Sequence, residues 1–511
     1  FPKNDTLFNA NSFDCMTIRY SASWLNSAQT TIHSDTRTGE ILNASILINA
    51  NMISVQYADR IGATVAIDPR VRTTVFPQEI QGELIQAAIA QAVGTGLGLT
   101  MNWGASCAYP VDSLRSASFT QKYGLASSVM GGVIINDVAT EEDVRNGVCL
   151  VNTKPGPYDE LVIKYLYQPI YASSLQEEKE TLDSWIREHT GDPYYAYIRN
   201  QSRFDSDPRN SRGSLGDDHL KSFDYMLPNV RKGFENYYSW FAKEDRDFLM
   251  RRRVHSALSE RLSGRIYAIL SYIGGIYLND IREKDAIPSY SMVDREKQKA
   301  ALSKALELAK NLDWVDDTAH LNEFEISDKK ADRLRLDIFN GIFGRLPYVE
   351  VCTERFPDAA YTASEYLDDI YGIVWEGVLK HRPLENFDRA LQTAFLESII
   401  STSTATAPIG SFKASKTGFA ATGKPEINLA ALRNGGKVDM KMYSLQNAEE
   451  VAGFSSIPPI YTNQTKIAAY YFDLLMRTKD MLKKAISTAP EADRSHYDLL
   501  IYRINKATEI E

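Results

Sequence analysis

Between residues 91 and 102 the chain has side chains at the spacing of a metal site, but not the usual ligands. Gln91 and Thr95 fall one helical turn apart, Gly98 stands where such a helix would stop, and Met101 lies beyond. Zinc is held by thiolate, imidazole or carboxylate, whereas these positions offer an amide, a hydroxyl and a thioether. Ala92, beside the first of them, has no group that could accept a proton, so metal-bound water and a general base are both missing from the segment. The seven histidines, at 33, 189, 219, 255, 320, 381 and 496, leave the whole stretch between His33 and His189 empty, and no H-E-x-x-H occurs. His320 and Glu323 sit at helical i, i+3 spacing without a third partner nearby, which reads as a solvated helix face. Asp205, Asp207, Asp217 and Asp218 gather carboxylates near Asn210 and form a weak calcium candidate through oxygen ligands. They do not follow an EF-hand, and Asp217 fits equally well as a cap for a helix starting near His219. Neither G-x-S-x-G nor the spacing of a phosphate-binding loop is present.

The text around residues 91–102 resembles a known frame. A metzincin carries H-E-x-x-H-x-x-G-x-x-H, and on that template Gln91, Thr95 and Met101 occupy the ligand positions, Ala92 the catalytic glutamate and Gly98 the turn glycine. Downstream, Gly104-Ala105-Ser106, Tyr109-Pro110-Val111-Asp112-Ser113-Leu114-Arg115-Ser116 and Phe119-Thr120-Gln121-Lys122-Tyr123-Gly124 are similar to the EcxA-like group of large bacterial zinc-dependent metalloproteases. Upstream, Arg37 to Ala44 looks like that group's strand before the active helix, and Ala66 to Arg72 its connector. Gly156 to Glu160 and Leu215 to Asp218 continue the likeness, which thins past about residue 350. The metzincin methionine turn falls on Ser128-Val129-Met130-Gly131-Gly132. Met130 is kept, and glycines replace the aspartate and tyrosine that follow it in relatives. Small or uncharged residues at all six altered positions imply a zinc pocket filled as packed core, with zinc absent.

At 511 residues the chain should form two or more domains, because single cores rarely grow past roughly 250 to 300 residues. Net charge of −9 argues against a nucleic-acid binder, which needs a concentrated basic surface. Arg251-Arg252-Arg253 follows the mixed-sign run Lys243 to Asp247 and reads as a solvated helix face. The apolar stretch Leu84 to Trp103 is interrupted by Gln86, Gln91, Thr95 and Asn102, so a buried helix is expected and no transmembrane span. Cys15, Cys107, Cys149 and Cys352 lie far apart, compatible with up to two disulfides or with buried thiols.

The fold class expected is α+β: an incomplete metzincin-like N-terminal α/β domain followed by a large, mainly α-helical region. Alternation predicts strands at Asp14–Ser23 and Ile41–Val55, and Pro77-Gln78-Glu79 opens a long helix. Amphipathic helices are predicted over Ser174–His189, His219–Phe241, Asp245–Leu278, Asp294–Leu312 and Lys330–Phe343, with more in Ala359–Leu396 and Thr465–Ile486. The divisions are 1–155 for the metzincin-like domain, 156–398 for a helical domain, 399–460 for a divergent Gly/Ser/Thr/Lys loop region and 461–511 for C-terminal helices. Metzincins place a strand and a helix before the strand near Asp14–Ser23. The chain starts at Phe1 without a signal peptide and reads as mature, trimmed or cut, the missing pieces of its first domain either removed or supplied by a separate fragment or another segment.

The function expected from these residues and this resemblance is that of a catalytically inactive metalloprotease homologue, a binding or structural accessory subunit. The resemblance implies export, to the periplasm or the outer membrane, many relatives being lipoproteins. The partner would be a protein of an envelope complex or a peptide. The alternatives are a peptidase or other hydrolase with a relocated site, and a peptide- or glycan-binding module using the old substrate groove, where the strand Arg37 to Ile48 would add a peptide by edge pairing.

Overall fold

The computed structural model describes residues 12–13, 16–25, 28–198, 206–210, 214–279, 281, 285, 287–320, 330–402 and 464–508. Near the start, β1 (Thr17–Ser21), β2 (Gln29–Ser34) and β3 (Ile41–Asn49) form a sheet of order β1-β3-β2. β1 runs parallel to β3 and β2 antiparallel to it. The turn between β2 and β3 is fixed by Asp35, whose carboxylate accepts the Arg37 N–H at 2.9 Å, and by Gly39 at φ 78°. β3 is therefore the middle strand with a neighbour on each side, and edge pairing by the Arg37–Ile48 strand, expected above, is ruled out because its backbone groups already bond β1 and β2.

The strand predicted to run to Val55 stops at Asn49. From Ala50 the chain turns into α1 (Ala50–Thr64), burying Met52, Gln56 and Arg60 at near-helical spacing. Arg60 is fully buried and pairs with Asp68 at 2.7 Å, which also binds Arg70 at 2.9 Å. This cluster folds the connector onto α1 before α2 (Gln78–Gly96) begins at Pro77.

Short helices follow: α3 (Ala117–Tyr123), α4 (Glu141–Arg145), α5 (Pro157–Tyr167) and α6 (Leu175–Arg187). The longest pair, α7 (His219–Phe241) and α8 (Leu249–Leu270), leads into a two-stranded sheet, β4 (Ile276–Leu278) with β5 (Tyr290–Met292). Then come α9 (Arg295–Lys310), α10 (Lys330–Gly344), α11 (Leu346–Arg355), α12 (Ala363–Val374), α13 (Glu376–Leu379), α14 (Asn386–Thr402), α15 (Gln464–Ala485) and α16 (Glu491–Thr508). This is the α+β organisation expected, a small sheet near the N-terminus and a large helical region. Of the segment expected as a divergent loop, 399–460, residues 399–402 instead end α14 and the rest lies outside the described residues, as do Asp205, Cys15 and Glu323. Cys107, Cys149 and Cys352 are free thiols. Among the described residues no helix is long and apolar enough to cross a membrane.

α8 is shorter than the predicted Asp245–Leu278 helix for two local reasons. The Asp245 carboxylate accepts from the N–H groups of Met250 and Arg251, at 3.0 and 2.9 Å, which fixes the start. Past Leu270 the chain reaches Gly274 at φ 61°, where a Cβ would stand 2.6 Å from the backbone of Tyr348. Arg251, expected on a solvated face, is buried against Asp245 and lies over the rings of Tyr238 and Phe248.

The largest core spans the division at residue 155. Ile61 of α1, Val65 just after it, and Ile80, Leu84 and Ala87 of α2 belong to the same apolar cluster as Val230, Val254, Leu258 and Phe339. At Gly62 the backbones of α1 and α8 come so close that a Cβ would stand 2.5 Å from the Ala257 carbonyl oxygen.

Candidate functional site

The site is built on the last turns of α2. Its Ala88 and Ala92 pack on Ile46 and Ile48, the face of β3 that alternation directs inward,. Small side chains are needed for this approach: a Cβ on Gly96 would meet the Ala44 methyl at 3.2 Å. Thr30 on β2 donates its hydroxyl to the Ala92 carbonyl at 3.1 Å, tying the edge strand to the helix.

Gln91 and Thr95 come one turn apart, and the Thr95 hydroxyl donates back to the Gln91 carbonyl at 3.2 Å. Gly98, at φ 89°, turns the chain just beyond the helix, a conformation that favours glycine,. The turn brings Met101 back so that Gln91 Nε2 donates to Met101 Sδ at 3.0 Å. Two positions of the metal frame are thus spent on each other. The third, Thr95, has its hydroxyl engaged by the backbone. Ala92 is buried between helix and sheet.

Below them, Met130 is fully buried with its sulfur against α2, where a Cβ on Gly94 would lie 2.6 Å away. Its turn is held by Asp159 of α5, which accepts the Ser128 hydroxyl and the N–H groups of Val129 and Gly156, the last two at 2.9 Å. Asn102 joins the layers: its N–H donates to the Met130 carbonyl at 3.0 Å and its side chain binds Ala196 and Ile198. Gly132, at φ 91°, replaces the expected tyrosine at a position whose backbone conformation itself favours glycine,.

The expectation of a pocket filled as packed core needs correction. Ala92 and Met130 are core, but Gln91, Thr95 and Met101 are only partly buried. Aromatic groups that the sequence did not single out contact the segment just past α2. The Tyr167 hydroxyl donates to the Leu97 carbonyl at 2.8 Å, and Thr100 donates to the Tyr197 hydroxyl at 3.2 Å. Tyr197 stacks on Tyr158 at 6.0 Å, and burial, with Tyr197 and Asp159, pushes the Tyr158 phenol up. Tyr165, Tyr167 and Tyr171 are exposed.

The described carboxylates proposed for calcium are already engaged. Asp207 is bound by Arg209 at 2.7 Å and by the Leu278 N–H at 2.9 Å. Asp217 accepts the Val111 N–H at 3.1 Å. The cap of α7 is Asp218 rather than Asp217: its carboxylate accepts from Leu220 at 2.9 Å and Lys221 at 3.2 Å, with Lys297 3.2 Å away. Burial, the largest influence on Asp218, would raise its pKa, but these donors and Lys297 hold it below the ordinary value.

Among the described residues no three His, Cys, Asp or Glu side chains are placed to hold a metal ion. His219 and His255 are buried on carbonyls of Pro208 and Val315, and His320 bonds Asp317 at 2.8 Å. The donors at the metzincin frame do not fit zinc: an amide nitrogen donating a hydrogen bond has no lone pair for a metal, and thioether and hydroxyl are weak ligands.

Comparison with known proteins gives one match to a protein family, described as Met-zincin, over residues 73–382. No curated protein and no solved structure matches the chain.

Proposed function

The chain belongs to the Met-zincin family, whose match covers more than half of it, and from that premise we propose that it is a degenerate, catalytically inactive member. It acts as a binding or structural accessory subunit of the bacterial cell envelope. The observation that carries this reading is the Gln91–Met101 hydrogen bond, which closes two of the three metal positions on each other while Ala92 faces the sheet. A zinc hydrolase needs an open metal coordination position and a base beside it. These residues supply neither. The envelope setting and the EcxA-like kinship rest on the likeness of Tyr109–Ser116 and Phe119–Gly124 to that group.

The exposed Tyr165, Tyr167 and Tyr171, with the Tyr167 hydroxyl on the Leu97 carbonyl, favour a peptide or glycan as what is bound, because exposed tyrosines offer apolar faces with polar tips,. Elemental mass spectrometry tests the inactive reading. After incubation with excess zinc and removal of free ion, the protein should retain only a trace. Near-stoichiometric zinc would overturn it.

A further inference from the structure

Away from α2, a cavity of about 730 Å³ lies where α7, the end of α9, the turn at 313–315 and the start of α14 meet. That volume suits a small organic molecule. The charges in its wall sort into paired groups and one exception. Asp313 is held by Arg335, and Glu385 lies 3.8 Å from Arg382. Lys310 lies 3.5 Å from Glu376, and Arg389 pairs with Asp493 at 2.5 Å.

Arg231 is the exception. No carboxylate pairs with it among the described residues, and its Nε is buried without a hydrogen-bond partner there. Its guanidinium lies over the Trp314 ring, 4.8 Å from the centroid. That ring is fixed in turn, its Nε1 donating to the Asn311 carbonyl at 2.5 Å and its edge packed on Phe234 at 5.5 Å. A cation stacked on an indole keeps its N–H edge available, and that planar edge matches the two oxygens of a carboxylate or phosphoryl group. Phe387 adds a second ring to the wall.

We propose that this cavity binds a small organic anion, its acid group paired with Arg231 and its flat or apolar body against Trp314 and Phe387. Arg231 is the cation of this wall that no described carboxylate pairs with, so an anion can take that place while the rings supply the rest of the contact,.

Calorimetric titration of the full chain with phenyl phosphate and phenylacetate, against inorganic phosphate and benzyl alcohol, tests the proposal. At least one aromatic anion should saturate at one per chain, about tenfold or more tighter than either control. The tighter of the two identifies the acid group. Arg231→Met should weaken it by about tenfold, and Trp314→Leu should weaken it as well. Phe387→Ala, on another part of the wall, carries the same expectation should Arg231→Met fail to fold. Absence of saturable binding by both aromatic anions, equal binding of benzyl alcohol, or affinity unchanged in these variants would overturn the proposal.

Discussion

Replacing Asp137 with asparagine should unfold this protein far more readily than its distance from α2 suggests. Asp137 is fully buried, and its carboxylate receives Arg261 Nε at 2.6 Å, Arg265 Nε at 2.8 Å and a further Arg265 N–H. Arg261 also donates to the Ile135 carbonyl at 3.1 Å, and Asn229 to the Asp137 carbonyl at 3.0 Å, so the segment is clamped to α7 and α8 together. Removing the charge leaves two guanidinium groups facing one neutral amide. Arg261, 18% exposed, can turn toward water; Arg265, 2% exposed, cannot. Breaking a buried pair in this way costs about 3–5 kcal/mol, and the amide oxygen that remains places Asp137→Asn near the lower end and Asp137→Ala near the upper.

Urea unfolding at pH 7, followed by circular dichroism and by tryptophan fluorescence, measures the loss. The double variant with Arg265→Met should lose about 2 kcal/mol less than the sum of the singles, because the second change removes the stranded charge. Burial alone would raise the Asp137 pKa, but the two arginines outweigh it and hold it below the ordinary value. The contribution is therefore present above the unfolded pKa near 4 and is lost as pH falls through the lower folded value. Stability within about 0.5 kcal/mol of the parent for Asp137→Asn, a difference typical of an ordinary surface change, would refute the argument.

Ala92→Glu, which puts a carboxylate where the metzincin resemblance places the base, should destabilise by about 2–4 kcal/mol, since the carboxylate would be pressed on Ile46 and Ile48,; a stable variant in thermal melts would show that the side chain can turn away from the sheet instead. Gly62→Ala should cost about 1–3 kcal/mol by parting α1 from α8, although alanine gains about 1 kcal/mol in an isolated helix, and a raised urea midpoint would contradict the close approach. His219 titrates at about 4, chiefly because burial disfavours its charged form, while the unfolded chain takes up that proton near 6.5. Between those values the unfolded state binds more protons, so stability should fall as pH drops, with a slope of up to about 1.4 kcal/mol per pH unit from this residue. His219→Gln should flatten that slope, and identical pH profiles for variant and parent would exclude His219 as its source.

The long helices were legible because periodicity and caps agreed. At α7 the predicted span His219–Phe241 matches the observed one, with a capping aspartate just ahead. The strand predicted through Val55 overran because Ile53 and Val55 are β-branched, whereas burial of Met52, Gln56 and Arg60 selects a helix from Ala50,. β2 escaped notice: Gln29-Thr30-Thr31-Ile32-His33-Ser34 has a single strong hydrophobe and is held by its pairing with β3. At the site, residue types were readable directly, but their contacts were not. That Gln91 reaches Met101 depends on the turn at Gly98, and that Ala92 faces a sheet depends on strands more than forty positions upstream. The Asp137 cluster joins residues 124 and 128 positions apart, a pairing that no local pattern announces. Arg251 misled for a related reason, since three consecutive arginines resemble a wet surface until Asp245 folds back over one of them.

α2 belongs to two packings at once. Its early residues Ile80, Leu84 and Ala87 are set in the large helical core, and its later residues Ala88 and Ala92 carry the sheet. A close-packed interior transmits displacement rather than absorbing it, so the helix works as an axle seated at one end and loaded at the other. A displacement of the sheet would therefore carry through α2 to the helical core, and Gln91 rides on the helix that transmits it.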